Sequence, residues 1–130
     1  MANRTFYPSQ SYGSSRVYME FEFQVNSTGA VDQTTITGCD GVASVTRTAV
    51  GTFKVILKDT FNRIIHKSAE LDDSNDGYYA SAGLITNENT STPIQFYVFT
   101  RTNAGTLTDC VAGRRVHVSV ALRNGNWGVK

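Results

Sequence analysis

The sequence predicts an all-β protein, an antiparallel β-sandwich with jelly-roll-like or related Greek-key connectivity that follows an extended N-terminal arm. Three observations support this fold class. Apolar and polar residues alternate at a period of two in several segments, polar or glycine-containing stretches separate these segments about every ten residues, and no helical pattern extends beyond about two turns. At 130 residues the chain has the length of a single domain.

Four segments have the alternation that is typical of half-buried strands, namely 17–25, 52–58, 93–101 and 115–124. In each of them the apolar side chains share one face, and a sandwich would bury that face. The side chains predicted to lie inside are Val17, Met19, Phe21, Phe23, Phe53, Val55, Leu57, Ile94, Phe96, Val98, Val116, Val118, Val120 and Leu122.

Segment 93–101 differs from the other three because Tyr97 and Phe99 make its second face apolar as well. A strand with two apolar faces is typical of a subunit that assembles with another protein, so we expect one of these faces to meet a partner.

Weaker strand candidates fill the gaps at 34–38, 42–48, 63–71 and 78–86, which gives eight short segments in all. Residues 61–71 also fit a helical spacing. Their β-branched content and the strands on either side favour a strand.

Residues 1–15 differ in kind, because aromatic residues and an arginine are interspersed there with proline, serine and glycine. We assign them to an N-terminal arm and residues 16–130 to the sandwich domain. The arm is either a disordered terminus or an extended segment that anchors on a neighbouring subunit or another protein, since aromatic residues and arginine are the usual energetic anchors of interfaces. The second interpretation gives partner-binding roles to Arg4, Phe6, Tyr7 and Tyr12.

The charge balance argues against nucleic-acid and membrane partners. The sequence contains twelve Lys and Arg and eleven Asp and Glu, and its isoelectric point is near 7.8. The chain therefore lacks the surplus of basic residues that attracts duplex nucleic acid or anionic lipid. The first fifteen residues contain no apolar signal segment, and no apolar run has the length of a membrane span. We therefore expect a soluble protein without a secretory signal.

The two cysteines, Cys39 and Cys110, lie about seventy residues apart, with no C-x-x-C pair and no histidine cluster that would indicate a metal. Nothing in the sequence indicates an oxidising compartment. The sequence therefore predicts two buried free thiols, with a disulfide as the alternative.

Residues 72–77, DDSNDG, have the first half of an EF-hand calcium loop, with oxygen ligands at Asp72, Ser74 and Asp76. The twelfth position of such a loop would be Gly83, which has no side chain to complete the coordination sphere. We interpret the stretch as a polar turn and predict no metal and no cofactor; a calcium site of another kind is the alternative.

No catalytic motif of a hydrolase, metalloprotease, P-loop protein or dinucleotide-binding enzyme occurs in the sequence. His66 and His117 both lie on predicted strands, and Glu20 and Glu22 share a strand face on which carboxylates are usually solvated. The sequence therefore predicts no catalytic residue and a protein that is not an enzyme.

Three arginines lie at the ends of the last predicted strand: Arg114, Arg115 and Arg123. We interpret them as residues that keep a sheet edge soluble or form intersubunit ion pairs. Binding of a phosphate or carboxylate is the alternative.

The opening MANR, the central VTRTAVGTFKVILKDTF at 45–61 and the closing RRVHVSVALRN at 114–124 together resemble a group of small structural proteins of tailed bacteriophages. The same order and spacing of arm, central apolar segment and last strand extends over nearly the full chain. At polar positions the pattern is matched by Asn3, Arg4, Arg123 and Asn124. The GNWGVK stretch at 125–130 runs beyond the pattern.

The resemblance implies a capsid decoration (cement) protein on the surface of the virion capsid, assembled in the host cytoplasm. It also implies the major capsid protein as partner, a homotrimer, and an arm that grips the shell. The alternative is a head-fibre or tail-fibre receptor-binding sandwich, in which Tyr78, Tyr79 and Trp127 would line a sugar-stacking site. A small enzyme is the third interpretation.

Overall fold

Alternating apolar residues form two antiparallel sheets in the computed structural model, which describes residues 10–12, 16–26, 28–61, 63–72, 78–86, 92–110 and 112–123. The predicted all-β antiparallel sandwich is confirmed. Its strands are β1 (Gln10–Tyr12), β2 (Arg16–Val25), β3 (Val31–Thr37), β4 (Val42–Ala49), β5 (Thr52–Leu57), β6 (Arg63–Asp72), β7 (Tyr79–Thr86), β8 (Gln95–Arg101) and β9 (Arg115–Arg123).

Sheet A has the strand order β1-β2-β9-β6, and β3 also pairs with β2; sheet B has the order β4-β5-β8-β7. All pairs are antiparallel. Strand β3 contacts β4 and β6 contacts β7, so the two sheets meet along both edges. The strand order does not confirm the jelly-roll-like connectivity, which stays a prediction.

All of the side chains that the sequence places inside are buried. The two sheets meet in one cluster, in which the ring centroids of Phe23 on β2 and Phe53 on β5 lie 5.5 Å apart. Val25, on the same face of β2, is buried as well, and the structure adds buried residues that the alternation did not identify, among them Val45, Phe61 and Ile64.

Residues 63–71 lie within strand β6, as predicted, and not in a helix. Strand β6 pairs with β9 along its length, and a bulge between Ile64 and His66 shifts the register. The helix-like spacing of residues in this stretch therefore occurs in a strand with a bulge. No helix occurs among the residues that the structure describes, and so none there could cross a membrane.

The two cysteines do not form a disulfide. Cys110 is buried, as predicted, whereas Cys39 is only half-buried, so the prediction of two buried thiols is wrong for Cys39. Cys39 lies outside the sheets, two residues after the end of strand β3, and is partly exposed there. Partial burial raises the pKa of its thiol.

Asp109 connects three parts of the fold that are distant in sequence. Its carboxylate accepts hydrogen bonds from Arg47 on β4, from Nη2 at 2.8 Å and from Nε at 3.0 Å, and from the backbone amide of Gly51 at 2.9 Å. The turn after β2 also reaches this point, because a Cβ atom on Gly29 would lie only 2.8 Å from Asp109 Oδ2. Only glycine fits there, at a φ of +84°.

Truncation of a core ring should be far more costly than truncation of an exposed ring on the same strand. Phe21→Ala is expected to lower the free energy of unfolding by about 3–5 kcal/mol, because it leaves a cavity between the sheets. The control is Tyr18→Ala, because Tyr18 is 47% exposed. Urea unfolding of both variants measures the difference, and equal losses would contradict the arrangement of β2.

Asp109→Asn is expected to lower the free energy of unfolding at neutral pH by on the order of 1–3 kcal/mol, because charge-assisted hydrogen bonds are lost. Hydrogen bonds from Arg47 hold the pKa of Asp109 below its ordinary value in the folded chain, so the native state binds fewer protons than the unfolded state. The contribution is therefore complete above about pH 4 and is lost as the pH falls through the lower folded-state pKa.

The difference in the free energy of unfolding between wild type and Asp109→Asn, measured with urea, should therefore be smaller at about pH 3 than at about pH 7. Asp59→Asn, at an exposed carboxylate, is the matched control. An equal difference in the free energy of unfolding at both pH values would show that the ionised carboxylate does not stabilise the fold.

Candidate interaction surface

Strand β8 lies between β5 and β7 in sheet B and has two chemically different faces. Phe96, Val98 and Thr100 are buried against sheet A. Tyr97, Phe99 and Arg101 alternate with them on the outer face, where they are half-buried by their neighbours. We call these three residues the aromatic row.

The side chains of the aromatic row are held in a defined arrangement. The rings of Tyr97 and Phe99 are stacked, with centroids 6.2 Å apart and planes inclined by 18°. The guanidinium carbon of Arg101 lies 5.0 Å from the centroid of Phe99, and Arg101 Nη1 donates a hydrogen bond of 2.9 Å to the hydroxyl oxygen of Ser81. The row therefore presents a continuous π surface that ends in a fixed positive charge.

Neighbouring strands shape the two sides of the row. On β5, Lys54 lies directly opposite Tyr97; on β7, Gly83 lies opposite Tyr97 and Tyr79 lies opposite Arg101. A Cβ atom at Gly83 would lie 3.4 Å from Cε2 of Phe99, so the missing side chain leaves room for the ring. Tyr79 is 43% exposed and extends the aromatic surface across β7.

Such a surface is suited to binding. Stacked rings bury apolar area and can pack against a sugar ring or an apolar side chain. A fixed guanidinium donates hydrogen bonds to a carboxylate or carbonyl oxygen. We therefore identify the outer face of β8 as a candidate interaction surface.

The outer face of sheet A holds a second, more polar feature, a depression of about 150 Å³. Its lining includes Glu20, Glu22 and His117, and His117 Nε2 lies 4.0 Å from the carboxylate of Glu20. Arg115 Nε lies 3.7 Å from Glu22. Glu20 and Glu22 share a partly exposed face, as expected from the sequence, and the structure places His117 beside Glu20 and Arg115 beside Glu22.

No group of three or more metal-ligating side chains is arranged to hold a metal ion in the part of the chain that the structure describes. Asp72 ends β6, where it lies opposite Arg115, and residues 73–77 of the DDSNDG stretch are outside the described residues.

Three of the four residues predicted to bind a partner, Arg4, Phe6 and Tyr7, also lie outside the described residues. The fourth, Tyr12, belongs to β1, where its backbone pairs with Val17 on β2. The end of the predicted arm is thus a strand at the edge of sheet A. Trp127, proposed for the sugar-stacking alternative, lies outside the described residues, whereas Tyr79 flanks the aromatic row.

The sequence pointed to Tyr97 and Phe99 through the apolar second face of segment 93–101. It did not identify Arg101 or Ser81 as their companions. The period of two would have placed Arg101 on the same face, but Ser81 reaches it only through the pairing of β7 with β8.

Comparisons of the chain with protein-family models, curated proteins and solved structures find no match.

Phe99 and Phe96 lie on the same strand but on opposite faces, and their truncation should separate the roles of the two faces. Phe99→Ala is expected to lower the free energy of unfolding by about 1 kcal/mol or less, against about 3–5 kcal/mol for Phe96→Ala. Urea unfolding at dilute protein concentration makes the comparison. A loss for Phe99→Ala as large as that for Phe96→Ala would show that Phe99 belongs to the core.

Proposed function

We propose that this protein is a structural component of a tailed-bacteriophage virion, a capsid decoration protein that binds the lattice of the major capsid protein. The observation that carries the proposal is the aromatic row on the outer face of β8, a central strand whose inner face already serves the core. Because these rings are only half-buried, part of their apolar area is available to a partner. The function is binding, with no catalytic step and no cofactor.

The chemistry of the row matches that of interface anchors. Aromatic and arginine side chains dominate the energetics of protein interfaces, and each well-packed ring contributes on the order of 1–3 kcal/mol. Tyr97, Phe99 and Arg101 combine both kinds of side chain on a sheet that holds them in fixed positions. Little conformational entropy is therefore lost when a partner binds.

The N-terminal arm supplies a second contact in this proposal. Strand β1 ties residues 10–12 to the edge of β2, so residues 1–9 start from a fixed point on sheet A. Phe6 and Tyr7 would then pack against the capsid lattice, and Arg4 would bind its carboxylates or backbone oxygens. We propose that three copies form a homotrimer where they bind the capsid lattice, in keeping with the resemblance to phage decoration proteins.

A receptor-binding module of a head or tail fibre is the second candidate function. It is favoured by the same row, because a sugar ring stacks on an aromatic face while its hydroxyl groups bond to flanking polar side chains. Lys54, Ser81 and Arg101 lie beside the rings and could take that role.

Deletion of residues 1–9 tests the decoration function without disturbing strand β1. The shortened protein should fold as the wild type does, but its occupancy on capsids that lack the endogenous copy should fall at least about tenfold, since several anchors are lost. Cryo-electron microscopy at equal protein concentration measures the occupancy. Deletion of residues 124–130 is a control of similar length that leaves the arm intact.

Equal occupancy of full-length and shortened protein would remove the arm from the mechanism. Absence of the full-length protein from the capsid, together with binding to glycans that Phe99→Ala abolishes, would overturn the decoration function in favour of the fibre function.

A further inference from the structure

The outer face of sheet A carries an unusual alignment of three like charges. Arg16 on β2 lies directly opposite Arg123 on β9, and Arg123 lies directly opposite Arg63 on β6. All three side chains point away from the core and keep access to solvent. We call them the arginine row. Directly opposed like charges destabilise a sheet, so the row has a cost in the isolated chain.

This cost is not relieved within the part of the chain that the structure describes, where none of the three arginines forms an ion pair. The segments that flank them directly in sequence, residues 13–15, 62 and 124–130, contain no Asp and no Glu side chain. At the other end of the same strands, by contrast, Arg115 lies 3.7 Å from Glu22. Among the described residues, an arginine at one end of this face thus has a carboxylate partner, whereas the three at the other end have none.

The opposite end of this face has a surplus of negative charge. Glu22 on β2 and His117 on β9 lie six residues along their strands from the arginine row. Glu22 lies opposite His117, and His117 lies opposite Glu70 on β6. We call these three residues the acidic row. At the strand rise of about 3.3 Å per residue, the two rows lie about 20 Å apart. Glu20 and Asp72 lie beside the acidic row and add to its charge.

We propose that the outer face of sheet A binds a second copy of this chain, face to face, about a two-fold axis that lies between the faces and perpendicular to the strands. This operation reverses the strand direction while it keeps β2 over β2 and β6 over β6. Arg16 then meets Glu22 of the partner subunit, and Arg63 meets Glu70 of the partner subunit. Each contact occurs twice, which is the requirement for an isologous interface.

The residues between the two rows are partly small and partly larger. Ala121 and Ser119 on β9 and Ser68 on β6 are small, so the sheets can approach closely there. Tyr18, which is 47% exposed, supplies an aromatic ring, and Glu20 and His66 are the larger polar residues between the rows. Ion pairs that a partner covers are screened less than those on an open surface.

The inference does not depend on the proposed function, because the aromatic row lies on sheet B and the charged rows lie on sheet A. Failure of capsid or glycan binding would leave the dimer intact, and absence of the dimer would leave capsid binding intact.

Charge exchange provides the test. Analytical ultracentrifugation of the full chain should show a dimer of wild type that weakens as salt rises from about 50 mM to about 500 mM. A double variant, Arg16→Glu with Arg63→Glu, and its counterpart, Glu22→Lys with Glu70→Lys, should each raise the dimer Kd at least about tenfold. An equimolar mixture of the two variants should recover dimerisation, because the altered rows are complementary. Lys58→Glu, at an exposed residue that follows β5 of sheet B, is the control that should leave the Kd unchanged.

Circular dichroism and thermal unfolding check that each variant folds, and the milder Arg16→Gln with Arg63→Gln replaces the charge reversal if it does not. Three results would each overturn the proposal: a wild type that stays monomeric at high concentration, variants that dimerise as tightly as wild type, or a mixture that fails to recover the dimer.

Discussion

Strand β8 is the element on which core and surface both depend, because every second side chain of a strand points the opposite way. Its pairing with β5 and β7 fixes which residues face inward. A slip of one residue would bury Arg101 and expose Phe96 and Val98, which no sandwich of this size tolerates. The apolar core therefore determines the position of the aromatic row, and Ser81 adds a hydrogen bond at its charged end.

The end of β8 is held by polar contacts. Thr100 is fully buried; its hydroxyl donates to the carbonyl of Thr108, and its amide donates to the carbonyl of Gly51 at 2.9 Å. Asp109 then accepts from Gly51 and Arg47, so the crossover from β8 to β9 is fastened to the turn between β4 and β5. Because Arg101 follows Thr100 directly, this network also positions the charged end of the aromatic row.

The sequence predicted what depends on periodicity and missed what depends on pairing. A period of two identified the core of β2, β5, β8 and β9 and the apolar outer face of β8. Asp109 and Arg47 are 62 positions apart, and no local pattern connects them. The arginine row is similar, because Arg16, Arg63 and Arg123 become neighbours only when the order and register of three strands are known. Strand β1 was missed because its three residues are too few to show alternation.

The two outer faces of the sandwich differ in the forces that they offer a partner, and so they respond differently to conditions. Contacts of the aromatic row depend on apolar area, which salt does not screen and which added sulfate or phosphate strengthens. Contacts of the arginine row depend on charge, which salt screens over about 8–10 Å. Because the sheets lie on opposite sides of one core, the two proposed attachments, to a large partner through sheet B and to a second copy through sheet A, would use separate surfaces. The strength of one proposed attachment should therefore respond to salt or substitution without loss of the other.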